Sequence, residues 1–275
     1  MKRRDLLMAS SGIAAATLFT RADDQKAIAA LPTVPALPTA PGETVTLAGN
    51  LKGYYVRPSG TETYPAVIVI MEAFGLNEYV KSVCDRLAQA GYAALAPDFY
   101  YGEVFEYTNV QGAVAKLKTL TDDKVMTEFG EGLTFLAGRT EVKPGAVGAI
   151  GFCMGGRFVY LASATHTDKI KAGVSFYGGG IAANPDPLGR KSLIDLTPAI
   201  ASPIMLLYGA EDQSIAPDEH ERIALALSTH KKRYAINVFP GAAHGFFSDR
   251  RENYNAAASD EAWAITLAFF QRHLA

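Results

Sequence analysis

The sequence predicts an α/β fold, a mostly parallel sheet with helices on both faces, and three observations predict it. Short runs such as Ala66–Met71 are apolar throughout, and Ala172–Tyr177 is apolar but for Ser175, as expected of strands packed against helices on both sides. These runs alternate with longer segments of helical periodicity, the pattern of βαβ units. There is no internal repeat and no second apolar core, so residues 44–275 are read as one domain.

The chain has 275 residues and opens differently from its body. Met1-Lys2-Arg3-Arg4 precedes Leu6, Leu7 and an uncharged stretch from Met8 to Phe19. A basic start followed by a short apolar run describes an export signal, and the paired arginines make it twin-arginine in type. Residues 1–29 are assigned to that signal, with Ala27-Ile28-Ala29 as a small-x-small cleavage pattern. The expectation is delivery to the periplasm by the twin-arginine machinery. Residues 30–43 carry Pro32, Pro35, Pro38 and Pro41 at every third position. Proline fixes φ and removes a donor, so this stretch is an extended arm, a tether or a strap over the surface.

In the body, Thr44–Leu47 and Tyr54–Arg57 read as an antiparallel edge pair bounded by Gly49, Gly53 and Pro58. Ala66–Met71 is the first buried strand. Asn77 caps a helix through Ala90 that Gly91 stops. Tyr92–Ala96 is a strand closed by Pro97, and helical stretches cover roughly 110–120 and 122–137. The strand Ala146–Ile150 leads into Gly151-Phe152-Cys153-Met154-Gly155-Gly156 and a helix to about Ser163. Ala172–Tyr177 is a strand, a proline-bearing loop comes next, and Ile204–Tyr208 is a strand. Pro217–Ser228 is a helix, Tyr234–Phe239 a strand and Asn255–His273 a long amphipathic helix.

Composition excludes some classes. A formal charge of −2 leaves no basic footprint for nucleic acid. Apolar runs within the body are strand-length, too short to span a membrane. The two cysteines are expected to stay unpaired, with Cys84 a buried helical thiol and Cys153 at a turn. No spacing suggests a metal site, and no cofactor is expected.

Open sheets of this kind carry their sites at the carboxyl ends of the strands. The segments there are Glu72-Ala73-Phe74-Gly75, Asp98-Phe99-Tyr100, Cys153-Met154, Tyr177-Gly178, Gly209-Ala210-Glu211-Asp212 and Ala243-His244-Gly245-Phe246. Small residues around Cys153 after a strand match the G-x-S-x-G nucleophile elbow, with sulfur in place of the hydroxyl. A thiol attacks as thiolate and needs a base or a positive potential. The next helix supplies partial positive charge, and an imidazole held by a carboxylate supplies the rest. Of five histidines, His244 alone follows a strand between small residues. His166, His220, His230 and His273 read as surface groups, His220 on a solvated helix face. Glu211 and Asp212 both qualify as the orienting acid, and Asp212 is preferred because it lies closer to the turn toward Pro217. The order Cys153, Asp212, His244 is that of the α/β-hydrolases. Met154 and Ala73 are the candidate backbone N–H donors of an oxyanion hole.

Together these segments resemble the dienelactone hydrolase (carboxymethylenebutenolidase) family over essentially the whole body after the arm. The resemblance implies an eight-stranded α/β-hydrolase sheet and a Cys-His-Asp triad that opens an ester or lactone through an acyl-thiol intermediate. It also implies that Glu72 contacts the resting thiol and takes its proton. From the residues alone, Glu72 is equally a carboxylate capping the next loop. The family's two carboxylate-binding arginines fall here on Gly102 and Ser248, with Arg250 and Arg251 nearby. Arg250 or Arg251 is the suggested substitute, Arg250 being the one carried as a candidate contact, and Phe74, Tyr100, Tyr101 and Phe246 are candidates for an aromatic pocket. The alternatives are a thioesterase or peptidase on the same fold, or a non-catalytic periplasmic binding module.

Overall fold

The computed structural model describes residues 36–275; the expected export segment and residues 30–35 of the arm lie outside the described residues. The remainder of the arm is tied down by backbone pairing. Leu37 N–H donates to the Gln89 carbonyl (2.8 Å), Ala40 N–H to Arg57 (2.9 Å), and Pro38 accepts from Ser59 N–H (2.9 Å). The non-proline positions supply the donors that proline lacks.

Eight strands form one sheet: β1 (Glu43–Ala48), β2 (Leu51–Val56), β3 (Tyr64–Ile70), β4 (Ala93–Pro97), β5 (Val142–Phe152), β6 (Ile170–Phe176), β7 (Ile204–Gly209) and β8 (Tyr234–Phe239). Their order is β1-β2-β4-β3-β5-β6-β7-β8. Pairs β1–β2 and β2–β4 are antiparallel and the other five are parallel. The helices are α1 (Glu78–Gln89), α2 (Val110–Leu117), α3 (Asp122–Ala137), α4 (Met154–Thr165), α5 (Pro217–Thr229) and α6 (Ala256–Leu274).

Central β3 and β4 are buried along nearly their whole length, which is why they read as unbroken apolar runs. Helices cover both faces. A Cβ on Gly148 of β5 would lie 2.9–3.0 Å from Leu274 and Phe270 of α6, whereas one on Gly151 would meet Gly155 of α4. Residues three apart in a strand point to opposite faces. Asn77 caps α1 by accepting from Val80 N–H (3.1 Å). Helix α4 is buried on nearly every side, so it carries no amphipathic stripe.

Several boundaries differ from the sequence expectation. β2 begins three residues earlier, and Gly53 lies inside it opposite Pro97 of β4. A side chain there would come within 3.0 Å of the Ala96 carbonyl, so that glycine marks a close strand approach rather than a turn. The proline-bearing loop contains a short 3₁₀ helix, Ile194–Ala199. His220 is not on a solvated face: its ring stacks on Tyr208 at 3.9 Å between centroids, and burial lowers its pKa. His166 likewise packs on Phe129 and bonds the Met126 carbonyl at 3.0 Å. Tyr208 comes from β7, the strand before the helix, and Phe129 and Met126 come from α3, so in both cases a neighbouring element supplies the partner. Among the described residues no helix is long and apolar enough to cross a membrane.

Candidate active site

At the carboxyl end of β5 the backbone reverses through Cys153, whose φ is 54° and ψ −116°. That region is costly for a side-chain-bearing residue and persists only where its surroundings impose it. Here they do. Cys153 N–H is held by the Phe176 carbonyl (3.0 Å), and Gly156 N–H returns to the Cys153 carbonyl (3.0 Å). A Cβ on Gly151 would lie 2.1 Å from the Gly155 carbonyl oxygen, and one on Gly155 would lie 2.3 Å from the Ile70 carbonyl oxygen. Strand and helix meet too closely for any larger residue, and the turn presents the thiol half-buried at the start of α4.

The structure brings Asp212 and His244 together beside this thiol. Asp212, in the loop after β7, accepts at Oδ1 from Ser214 N–H (2.8 Å) and Ile215 N–H (3.2 Å), which fixes its carboxylate. Its Oδ2 lies 2.8 Å from His244 Nδ1. Glu211 is exposed and does not take this position. A carboxylate only accepts, so Nδ1 carries the proton and Nε2 is the nitrogen left for sulfur. His244 and Cys153 line the same cavity and act on each other's charge, and the Tyr177 ring packs edge-on against the imidazole at 5.1 Å.

Charge follows from this geometry. Burial works against the Cys153 thiolate, but the charge and hydrogen bond of His244 outweigh it and the Met154 N–H helps, while Glu72 opposes; the thiol ends below its ordinary value. Burial also disfavours a charged His244, yet Cys153 and Asp212 together push its pKa well up. The arrangement favours thiolate beside imidazolium.

Glu72, just past β3, is fully buried, and neither carboxylate oxygen has a hydrogen bond of normal geometry. The Tyr107 hydroxyl and Asn77 amide stand close by, and Arg251 Nη1 lies 3.7 Å from Oε2. Burial outweighs these neighbours and raises its pKa. An unsatisfied buried carboxyl is expensive to keep ionised, so the neutral form gains.

A cavity of about 490 Å³ opens above the thiol. Cys153, His244, Met154, Ala73 and Phe74 all line it. Met154 is the first residue of α4, where a helix N–H has no partner within the helix. The remaining proposed contacts lie elsewhere. Tyr100 is fully buried beneath Met154, its hydroxyl 3.8 Å from Sδ. Tyr101 is exposed and donates to Glu128. Phe246 is core, packed on Phe176, Tyr177 and Phe239. Arg250 is exposed beside Asp249 (3.4 Å), and Arg251 lines the cavity instead. Consecutive turns decide this: Ser248 N–H bonds Gly245 and Arg251 N–H bonds Ser248, which swings the second arginine inward. Gly245 (φ 79°) makes room, since a Cβ there would lie 2.4 Å from Arg251 Nη1. Gly102 sits at a tight turn, its N–H on Asp98 Oδ2 (2.6 Å), and Ser248 is buried. Asn77, Tyr107 and the loop around residues 183–190 were not identified as site residues from the sequence, because nothing in their local pattern separates them from ordinary cap, core and loop residues. Among the described residues no three His, Cys, Asp or Glu side chains are grouped so as to hold a metal ion.

Sheet order, two-sided helical cover and a strand-to-helix elbow at β5 define an α/β-hydrolase fold. Within it, the chain belongs to the dienelactone hydrolase family, whose sequence profile matches residues 51–274. A Synechocystis protein provisionally named a carboxymethylenebutenolidase is 37% identical over 245 residues, spanning 86% of this chain and 96% of its own. A Bradyrhizobium protein, provisionally named a 2-oxo-3-(5-oxofuran-2-ylidene)propanoate lactonase, is 30% identical over 222 residues, 80% of this chain and 89% of its own. The crystal structure of a Klebsiella pneumoniae protein, provisionally named a dienelactone hydrolase, superposes with a TM-score of 0.79 at 29% identity, covering 86% of this chain and 99% of that one. The family and these relatives support a hydrolase of esters or lactones.

Proposed function

We propose that the chain cleaves an ester or lactone, in the manner of a carboxymethylenebutenolidase, through Cys153, His244 and Asp212 and an acyl-thiol intermediate. The observation that carries this is a thiol on a strained elbow, held below its ordinary pKa by an imidazole whose other nitrogen is 2.8 Å from a buried carboxylate.

The Cys153 thiolate attacks the carbonyl carbon, forming a C–S bond and a tetrahedral oxyanion. The N–H groups of Met154 and Ala73 receive that oxyanion; a donor of this kind is worth about 3–4 kcal/mol. Collapse breaks the C–O bond, and the imidazolium of His244 gives its proton to the departing oxygen. In a lactone that oxygen stays tethered to the acyl group. His244, now neutral, takes a proton from water, and the hydroxide attacks the thioester. The C–S bond breaks, restoring thiolate beside imidazolium and releasing the carboxylic acid, which gives its proton to solvent. Asp212 holds the tautomer throughout. Glu72 modulates the thiol: ionised, it disfavours the thiolate, and neutral, it leaves His244 in control.

A panel of chromogenic esters, lactones and peptides tests the reading. Wild-type protein is expected to turn over esters or lactones but not peptides, and Cys153→Ala to lose that turnover. Ester hydrolysis unaffected by Cys153→Ala would rule out the thiol mechanism.

The arginine pair Arg3-Arg4 and the apolar run behind it support a periplasmic location reached by twin-arginine export. Fractionation of cells expressing the whole chain tests this. Wild type is expected in the periplasm and the Arg3→Lys, Arg4→Lys variant in the cytoplasm; a cytoplasmic wild type would rule it out.

A further inference from the structure

One wall of the cavity has a composition that ester or lactone chemistry does not call for. Helix α2 turns Val110, Ala113, Val114 and Leu117 toward it. This is an i, i+3, i+4, i+7 stripe, the face a helix normally buries against its own core. Here only half of it is covered: Ala113 and Leu117 are buried in the core, while Val114 is half-exposed and Val110 is left 54% exposed at the cavity's edge. Pro187, Leu188 and Ile215 add further apolar surface from the loop after β6 and the loop after β7.

The charged groups lining the cavity near these residues are already matched. Arg190 is engaged by Asp186 (Nη2 to Oδ2, 2.8 Å). Arg222 is held by Asp218 Oδ2 (2.6 Å) and the Ala182 carbonyl (2.8 Å). Glu219 accepts from Ala182 N–H (3.0 Å). Along this wall a charged substituent would therefore meet apolar carbon and matched pairs, and its desolvation would go uncompensated; Arg251, beside Glu72, is a separate cation in the cavity lining. An apolar substituent would remove exposed hydrocarbon from water on both sides. At about 490 Å³ the cavity also falls in the range that houses drug-sized ligands and is larger than a bare lactone ring needs.

We propose that the substrate carries an uncharged apolar limb, an alkyl chain or aryl group joined to the scissile acyl centre, which lies along α2 against Leu188 and Ile215. This rests on the hydrolase reading above and specifies its substrate class. The family's carboxylate clamp is missing at Gly102 and Ser248, and the α2 wall is the feature that selects in its stead.

Two series test the proposal: p-nitrophenyl alkanoates from acetate to octanoate, and γ-lactones with alkyl substituents of rising length. In at least one series kcat/KM is expected to rise about fourfold per added methylene until the cavity is filled. A terminal carboxylate on the longer chains is expected to cancel the gain. Val114→Asn, at a half-exposed position, and Leu188→Asn are expected to lower the ratio of long-chain to short-chain kcat/KM about tenfold, and Val114→Ile to restore it. If both series are flat or falling while short esters are still cleaved, the apolar-limb proposal is overturned and the hydrolase reading stands. If no member is cleaved, the hydrolase reading fails and a binding measurement decides this one. Methyl ketones of rising alkyl length are then expected to protect Cys153 from iodoacetamide progressively better. Equal protection at every length overturns the proposal.

Discussion

The chain contains two cysteines, and the contrast between them isolates what makes a thiol reactive. Cys84 lies in the middle of α1, fully buried among apolar neighbours, and burial raises its pKa well above the ordinary value. Cys153 stands on a turn with φ 54°, half-buried, at the start of α4, and its pKa is lowered. Burial acts in the same direction on both. The difference is the imidazole: His244 supplies Cys153 with a positive charge and a hydrogen bond that Cys84 lacks. A thiol without such a partner behaves as a small hydrophobe.

The largest test of this contrast is to remove each sulfur in turn. Cys153→Ala is expected to lower ester or lactone kcat by at least about 10³-fold, as loss of a nucleophile does elsewhere. Cys84→Ala is expected to leave kcat within about twofold and to cost stability instead, roughly 1 kcal/mol in a denaturant melt. Equal losses of kcat would erase the distinction.

Next comes the acid behind the imidazole. Asp212→Asn keeps the loop's shape but replaces an oxygen that fixes Nδ1–H, and kcat is expected to fall by about 10²–10⁴. If Asp212 merely braces its loop, Asn would serve nearly as well and steady-state kinetics would show it.

Alkylation against pH sharpens the comparison further. Iodoacetamide reacts with the thiolate, so its rate at each cysteine rises through that thiol's pKa. Wild-type Cys153 is expected to titrate below the ordinary value of about 8.5, while native Cys84 stays unmodified across the range. His244→Ala removes the two largest effects that lower the Cys153 pKa and leaves burial and Glu72 opposed only by the Met154 N–H, so the midpoint moves up. A midpoint unchanged in His244→Ala would show that the imidazole does not set the thiol.

The smallest expected effect is at Glu72, which opposes the thiolate. Glu72→Gln is expected to move the Cys153 alkylation midpoint down. It also bears on stability. The folded-state pKa of Glu72 is raised, so its favourable contribution is present below the unfolded carboxyl value of about 4.3 and is lost as pH rises through the folded value. Glu72→Gln is therefore expected to raise Tm at neutral pH, by roughly 2–4 °C for each 1 kcal/mol gained, and to show no gain below about pH 4. Thermal melts at both pH values check the sign.

Much of the architecture was legible because each strand buried on two faces has to be apolar along its length, as in Ala93–Pro97 and Ile204–Gly209. The elbow was legible because Gly151 and Gly155 lie where no side chain fits. Gly53 misled because a glycine that permits a close strand approach looks, in one dimension, like a glycine that ends a strand. His220 misled because its neighbours in sequence are charged while its neighbour in space is the Tyr208 ring. Four of the proposed pocket residues, Tyr100, Tyr101, Phe246 and Arg250, sit next to the site in sequence without lining it. Adjacency along a turn does not fix the direction of a side chain.

Local patterning along the chain was enough to set the alternation of strands and helices, the small residues around Cys153, and the order in which thiol, acid and histidine follow strands. Those features are local, since burial, steric fit and periodicity act over a few neighbouring residues. Tertiary structure alone decided that Arg251 rather than Arg250 faces Glu72, that Asp212 rather than Glu211 reaches His244, and that α2 turns its apolar stripe to a cavity. Each of these depends on how loops from distant strands turn at one end of the sheet. Nearby turns set the loop shapes, but the groups they bring together, Arg251 with Glu72 and Asp212 with His244, are dozens of positions apart, and no local pattern records the meeting.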